Sequence, residues 1–87
     1  MELKDTVDLM LSDDYKIRFK GEYYQLVIRI NKLANLISRI DTGLIDFEPT
    51  CPRQLLAKQL NSMQDYKWIL EERARVEGIN LATKDLI

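Results

Sequence analysis

A lone cysteine stands between two prolines in the stretch PTCPR, residues 49–53. A thiol becomes a nucleophile when its pKa is lowered, and a helix N-terminus with a nearby arginine can do that. Here Arg53 is the nearby arginine. Such chemistry also wants a base, and the chain contains no histidine. Cys51 is therefore expected to be a structural residue beside a helix start. Arg53 and the free N–H groups of that first turn remain a place for an anion. No residue is assigned a catalytic role, and the chain is read as a non-enzyme.

Rings and guanidinium groups suggest a second chemistry. A nucleotide ligand needs a ring to stack on and forked donors for its phosphates. Tyr15, Tyr23, Tyr24, Tyr66 and Trp68 supply rings, and Arg18, Arg29, Arg53, Arg73 and Arg75 supply forks. Tyr15 and Arg18 lie three apart, as do Arg29 and Lys32, while Tyr66 and Arg73 lie seven apart. On helices these spacings share a face. The expected ligand set is Tyr15, Arg18, Arg53, Tyr66, Lys67 and Arg73. The competing reading is a solvated helix surface, with arginines paired to Glu71, Glu72 and Glu77 and tyrosines at the edge of a core stripe.

The acids point nowhere. Asp41, Asp46 and Glu48 have spacings of five and two, which fit no calcium loop. Glu71 and Glu72 are adjacent, so they do not face each other as an acid/base pair. A single cysteine with no histidine offers no zinc ligand set and no internal disulfide. No metal and no cofactor are expected.

The elements that must position these residues are helices. With 87 residues, one domain is expected. Hydrophobic residues make up 46% and charged residues 31%, a folded rather than disordered profile. The 13 basic and 14 acidic residues nearly cancel, which argues against DNA or RNA as a partner. No apolar run approaches the ~18 residues of a membrane span. The acidic N-terminus is unlike a signal peptide, so a cytosolic protein is expected.

A short amphipathic helix is predicted over about 3–11, with Leu3, Val7, Met10 and Leu11 at helical spacing. Ser12 reads as the cap of the next helix, with Asp13 and Asp14 in its first turn. That helix is predicted over 13–40. Phe19, Tyr23, Leu26, Ile30, Leu33, Ile37 and Ile40 are spaced 4, 3, 4, 3, 4, 3, a heptad stripe. Gly21 inside it permits a kink or a close contact, or is a tolerated surface glycine costing about 1 kcal/mol. Gly43 reads as a left-handed stop. The linker, 41–51, carries Leu44, Ile45 and Phe47 and is expected to fold back over the core. A second long helix is predicted over 52–77, with Pro52 at its first position and Cys51 or Thr50 as cap. Its stripe runs Leu56, Leu60, Met63, Leu70 and Ala74, and Gly78 ends it. Residues 78–87 form a tail.

The expected fold is all-α: two long antiparallel helices and a short N-terminal one. The apolar surface exceeds what two helices can hide. Either the termini cover the remainder or a second copy does. Self-association is favoured, most simply a dimer forming a four-helix bundle.

The segments MLSDDYKIRFKGEYYQLVIRINKLANLI and TCPRQLLAKQLNSMQDYKWILEERARVEGI carry a family likeness. The chain resembles the small helical phage and prophage proteins typified by a crAss-like-phage family. Their pattern is "DY..RF..EY.QL..R..KL", a linker, then "CP..LL..QL..M..YL.IL..RA..E.I". Asp14, Tyr15, Arg18, Phe19, Glu22, Tyr23, Gln25, Leu26, Arg29, Lys32 and Leu33 match its first half. Cys51, Pro52, Leu55, Leu56, Gln59, Leu60, Met63, Tyr66, Ile69, Leu70, Arg73, Ala74, Glu77 and Ile79 match its second. Lys67 departs from it, where leucine is usual. The resemblance implies a helical hairpin of phage origin, hence the cytoplasm of an infected bacterial host. It implies no catalytic residue.

In architecture alone, the chain is also similar to small phage proteins that are oligomeric helical hairpins. Those proteins sequester the cyclic or ADP-ribose-derived nucleotides used as bacterial immune signals. The expected function is therefore a sponge of this kind. The alternatives are an anti-CRISPR-like inhibitor that occludes a host defence protein, or a structural adaptor with no small ligand.

Overall fold

The computed structural model describes residues 1–81, so the last six residues of the expected tail lie outside it. A 3₁₀ turn, Leu3–Thr6, runs into a single α-turn, α1, Val7–Met10. Two long helices follow: α2, Tyr15–Thr42, and α3, Arg53–Glu77. There is no strand among the described residues. The pairing runs antiparallel: Phe19 meets Arg73, Tyr23 meets Glu71, and Asp41 meets Arg53.

The start of α2 departs from expectation by two residues. Asp14, not Ser12, is the cap, and its carboxylate accepts from the Lys16 N–H at 2.9 Å. Ser12 acts one step earlier, its hydroxyl accepting from the Asp14 N–H at 3.1 Å. The two side chains hand the backbone donors on in series, so helical geometry begins only at Tyr15. α3 is corrected likewise. Pro52 is itself the cap, with ψ at 141°, and neither Cys51 nor Thr50 takes that role. Its carbonyl accepts from the N–H groups of Leu55 and Leu56, which makes Arg53 the first helical residue. Both helices end on a glycine in the left-handed region, Gly43 at φ 72° and Gly78 at φ 70°. Side chains rarely adopt that region, and glycine enters it freely.

The stripe of α2 packs on α3. Phe19, Tyr23, Leu26 and Ile30 bury against Leu70, Ala74 and Ile79, with Leu60, Met63 and Leu81 half-buried around them. Gly78 lets the chain turn so that the Ile79 N–H reaches the Ala74 carbonyl at 2.8 Å, placing Ile79 in this cluster.

The N-terminal segment lies on another side of α2, and not by the face expected. Val7, Met10 and Leu11 are exposed, while Leu3 and Leu9 are half-buried and Thr6 is fully buried. The period is three because the segment begins as a 3₁₀ turn, in which residues three apart eclipse. Thr6 meets its own polar need by donating to the Leu3 carbonyl at 2.7 Å. Gly21 permits this contact. A Cβ there would come within 2.9 Å of Met10 Cγ and 3.1 Å of the Met10 nitrogen.

The linker does not cover the core as expected. Leu44 and Phe47 stand in solvent, and of the three apolar residues expected to cover the core only Ile45 is half-buried.

Candidate functional site

The six residues expected to bind a ligand are dispersed, and most of their cations are taken. Arg53 sits at the linker end, where its Nε and Nη2 donate to both oxygens of Asp41 at 2.8 and 2.7 Å. That bidentate pair holds the Asp41 carboxyl below the ordinary carboxylate range, chiefly through the hydrogen bond. Lys67 lies 3.7 Å from Glu71. Arg73 donates to Glu77 at 3.1 Å and stacks over the Phe19 ring at 5.0 Å. Arg18 donates to the Ser12 carbonyl at 2.8 Å. Tyr15 and Tyr66 are exposed. Arg18 and Arg73 share the end of the hairpin away from the linker, since Phe19 bridges them in sequence and space. Arg53 lies at the other end.

Three concave places among the described residues bear on ligand binding. One is a shallow dent formed by residues 48–53, around the half-buried Cys51. Its only guanidinium is the one bound to Asp41, and Glu48 adds an acid to its rim. Arg53 and Glu48 are the charged side chains of this dent, which lies at the first turn of α3. A second, of about 320 Å³, lies between Tyr23, Glu71, Ala74, Arg75, Ile79 and Leu81. There the Tyr23 hydroxyl donates to Glu71 at 2.6 Å, and Arg75 is held by Glu72 at 2.8 Å. Burial first, then the bond to Glu71, pushes the Tyr23 phenol above its ordinary range. The Tyr23 hydroxyl and the Arg75 Nε are thus both committed to neighbouring carboxylates.

The third is a groove of about 260 Å³ built from three elements. Its floor is the side of α2 bearing Arg29, Lys32, Leu33 and Leu36. Leu3 of the N-terminal turn forms one wall, and Gln59 and Met63 of α3 form the other. Arginines occur at 18, 29, 39, 53, 73 and 75. Five of them have hydrogen-bond partners: Arg18, Arg39, Arg53, Arg73 and Arg75. Among the described residues Arg29 has no such partner, and neither does Lys32 beside it. Two uncommitted cations over an apolar floor can take an anion that also carries a flat or apolar part.

The sequence reading noted the Arg29–Lys32 spacing but left both residues out of the ligand set. A signal was present. Residues three and four away from Arg29 are Gln25, Leu26, Lys32 and Leu33, and those around Lys32 are Ile28, Arg29, Asn35 and Leu36. None is an acid. Arg73, Arg75 and Lys67 each have an acid at such a position and pair with it. Leu3, Gln59 and Met63 carried no comparable signal, because only packing brings them here.

Among the described residues, no group of three or more His, Cys, Asp or Glu side chains could hold a metal ion. None of the helices is long and apolar enough to cross a membrane. Residues 13–76, from just before α2 to the last turn of α3, match the family model described as Sequestin. No curated protein and no solved structure matches the chain.

Proposed function

The chain belongs to the Sequestin family, and from that premise we propose that it is a phage-encoded sponge, not an enzyme. It binds a cyclic or ADP-ribose-derived nucleotide that the infected bacterium uses as an immune signal, and keeps it from its receptor in the host cytoplasm. The family description supports a sequestering role. The observation that carries the nucleotide reading is the groove, where Arg29 is the one arginine left without a partner among the described residues and stands beside Lys32.

The physics of such a sponge is simple. Arg29 offers a planar fork to a phosphate, and Lys32 adds a second, mobile charge. Leu3, Leu33, Leu36 and Met63 give a sugar or base an apolar wall, and the Gln59 amide can donate to or accept from a base edge. No bond in the ligand needs to break, so no base or nucleophile is required. Sequestration is stoichiometric, so affinity and abundance decide its effect.

The test is a thermal-shift and calorimetric titration of the whole chain with ADP-ribose and cyclic di-AMP. A ligand at 100 times its Kd should stabilise the fold by about 2.7 kcal/mol. Arg29→Ala should weaken binding by roughly tenfold or more, as expected for a lost charged hydrogen bond. Heat release should return the ligand intact. A panel of such nucleotides that leaves the melting temperature unchanged removes the sponge reading and favours an inhibitor of a defence protein or an adaptor.

A further inference from the structure

A helix that packs on one neighbour needs one apolar stripe, and α3 has two. Leu56, Leu60, Met63, Leu70 and Ala74 belong to the stripe that serves α2. One residue earlier runs a second heptad series: Leu55, Gln59, Ser62, Tyr66, Ile69, Arg73 and Val76, spaced 4, 3, 4, 3, 4, 3. Its large apolar members stay in water, with Leu55 56%, Ile69 49% and Val76 74% exposed. Among the described residues, α2 is the only helix that packs on α3. The N-terminal segment covers α2 instead.

We propose that this outer stripe is where a second copy of the chain docks, α3 antiparallel to α3, and that docking closes the Arg29–Lys32 groove. The stripe is complementary to itself under a two-fold axis. Beside it run Lys58, Asp65 and Glu72, basic toward the N-terminal end and acidic toward the C-terminal end. Antiparallel pairing brings Lys58 of each copy toward the partner's Glu72, two attractions against the single Asp65–Asp65 approach at the axis. Parallel pairing would stack Arg73 on the partner's Arg73 within the seam.

The groove shows why the second copy matters to function. At about 260 Å³ it falls below the ~300–1,000 Å³ of pockets that enclose a small-molecule ligand. One chain therefore holds a phosphate and part of a nucleotide, with the rest in solvent. Gln59 belongs both to the groove wall and to the outer stripe. A helix laid antiparallel on the stripe passes over Gln59 with its C-terminal part, bringing the partner's Arg73 alongside. The closing of the groove rests on the nucleotide reading above; the interface does not.

Sedimentation of the full chain, wild type and Ile69→Glu, separates the two. The wild type should sediment at twice the chain mass at tens of micromolar, and Ile69→Glu at the chain mass with unchanged helicity by circular dichroism. Leu55→Glu should behave like Ile69→Glu. The monomeric variants should bind ADP-ribose or cyclic di-AMP at least tenfold more weakly, although Ile69 is outside the groove. A monomeric wild type overturns the interface whatever it binds. A monomeric Ile69→Glu that binds as tightly as wild type overturns the closing of the groove. A wild-type dimer split by Ile69→Glu, with neither form binding a nucleotide, keeps the interface and removes both the closing and the sponge reading.

Discussion

At the end of the hairpin away from the linker, Tyr23 is 2% exposed and Leu70 1%, and Ile79 returns to pack beside them. At the linker end, Leu44 is 70% exposed and Phe47 52%, and the pairing is an exposed Arg53–Asp41 bridge. The same two helices thus share their best-buried side chains at one end, while the other has Ile37 buried and an exposed ion pair beyond it. Burial of large apolar groups stabilises by kilocalories, while exposed ion pairs contribute little because water screens them. The first end holds the fold. The groove lies between the two, and its cations Arg29 and Lys32 have no acid three or four residues away, unlike Arg73 and Lys67.

Leu70→Ala is the hardest blow to this contrast. It empties the best-buried position of α3 and should cost about 3 kcal/mol in urea unfolding. That is a large share of the roughly 4–13 kcal/mol expected for a chain of this length. A cost below about 1 kcal/mol would mean that stability does not reside at this end.

Tyr23→Phe is milder. It deletes the hydroxyl bonded to Glu71 and should cost about 1.5 kcal/mol near neutral pH. Because the fold raises the Tyr23 phenol above its ordinary range, the folded chain keeps its proton where the unfolded chain loses it. That contribution is complete below about pH 10 and drains away as pH rises through the raised value. Alkaline unfolding of the wild type should therefore be steeper than that of Tyr23→Phe.

The smallest effect belongs to the linker end. Asp41→Asn should change neutral-pH stability no more than ordinary surface substitutions do. Its sign is still readable. The lowered Asp41 pKa stabilises above the ordinary carboxylate range and is lost as pH falls through the depressed value. Thermal melts at about pH 7 should rank wild type above the variant, and the gap should close as pH falls below the ordinary carboxylate range and through the lowered Asp41 value. A large gap at neutral pH would put the linker end on a par with the buried one.

Much of this molecule is set within windows of a few residues, and those parts were legible beforehand. The 4–3 spacing of Phe19, Tyr23, Leu26 and Ile30 determines a long helix. Gly43 and Gly78 determine where helices stop, and an acid three or four residues from Lys67, Arg73 and Arg75 determines that these cations are occupied. Each depends on backbone geometry that repeats over one or two turns. Tertiary structure decided the rest. It turned Thr6 and Leu9 inward and left Val7 and Leu11 in solvent. It left Leu44 and Phe47 in solvent, and it joined Leu3, Arg29 and Gln59 into one groove. Those outcomes depend on how three elements far apart in the chain approach and rotate against one another, which no local spacing encodes.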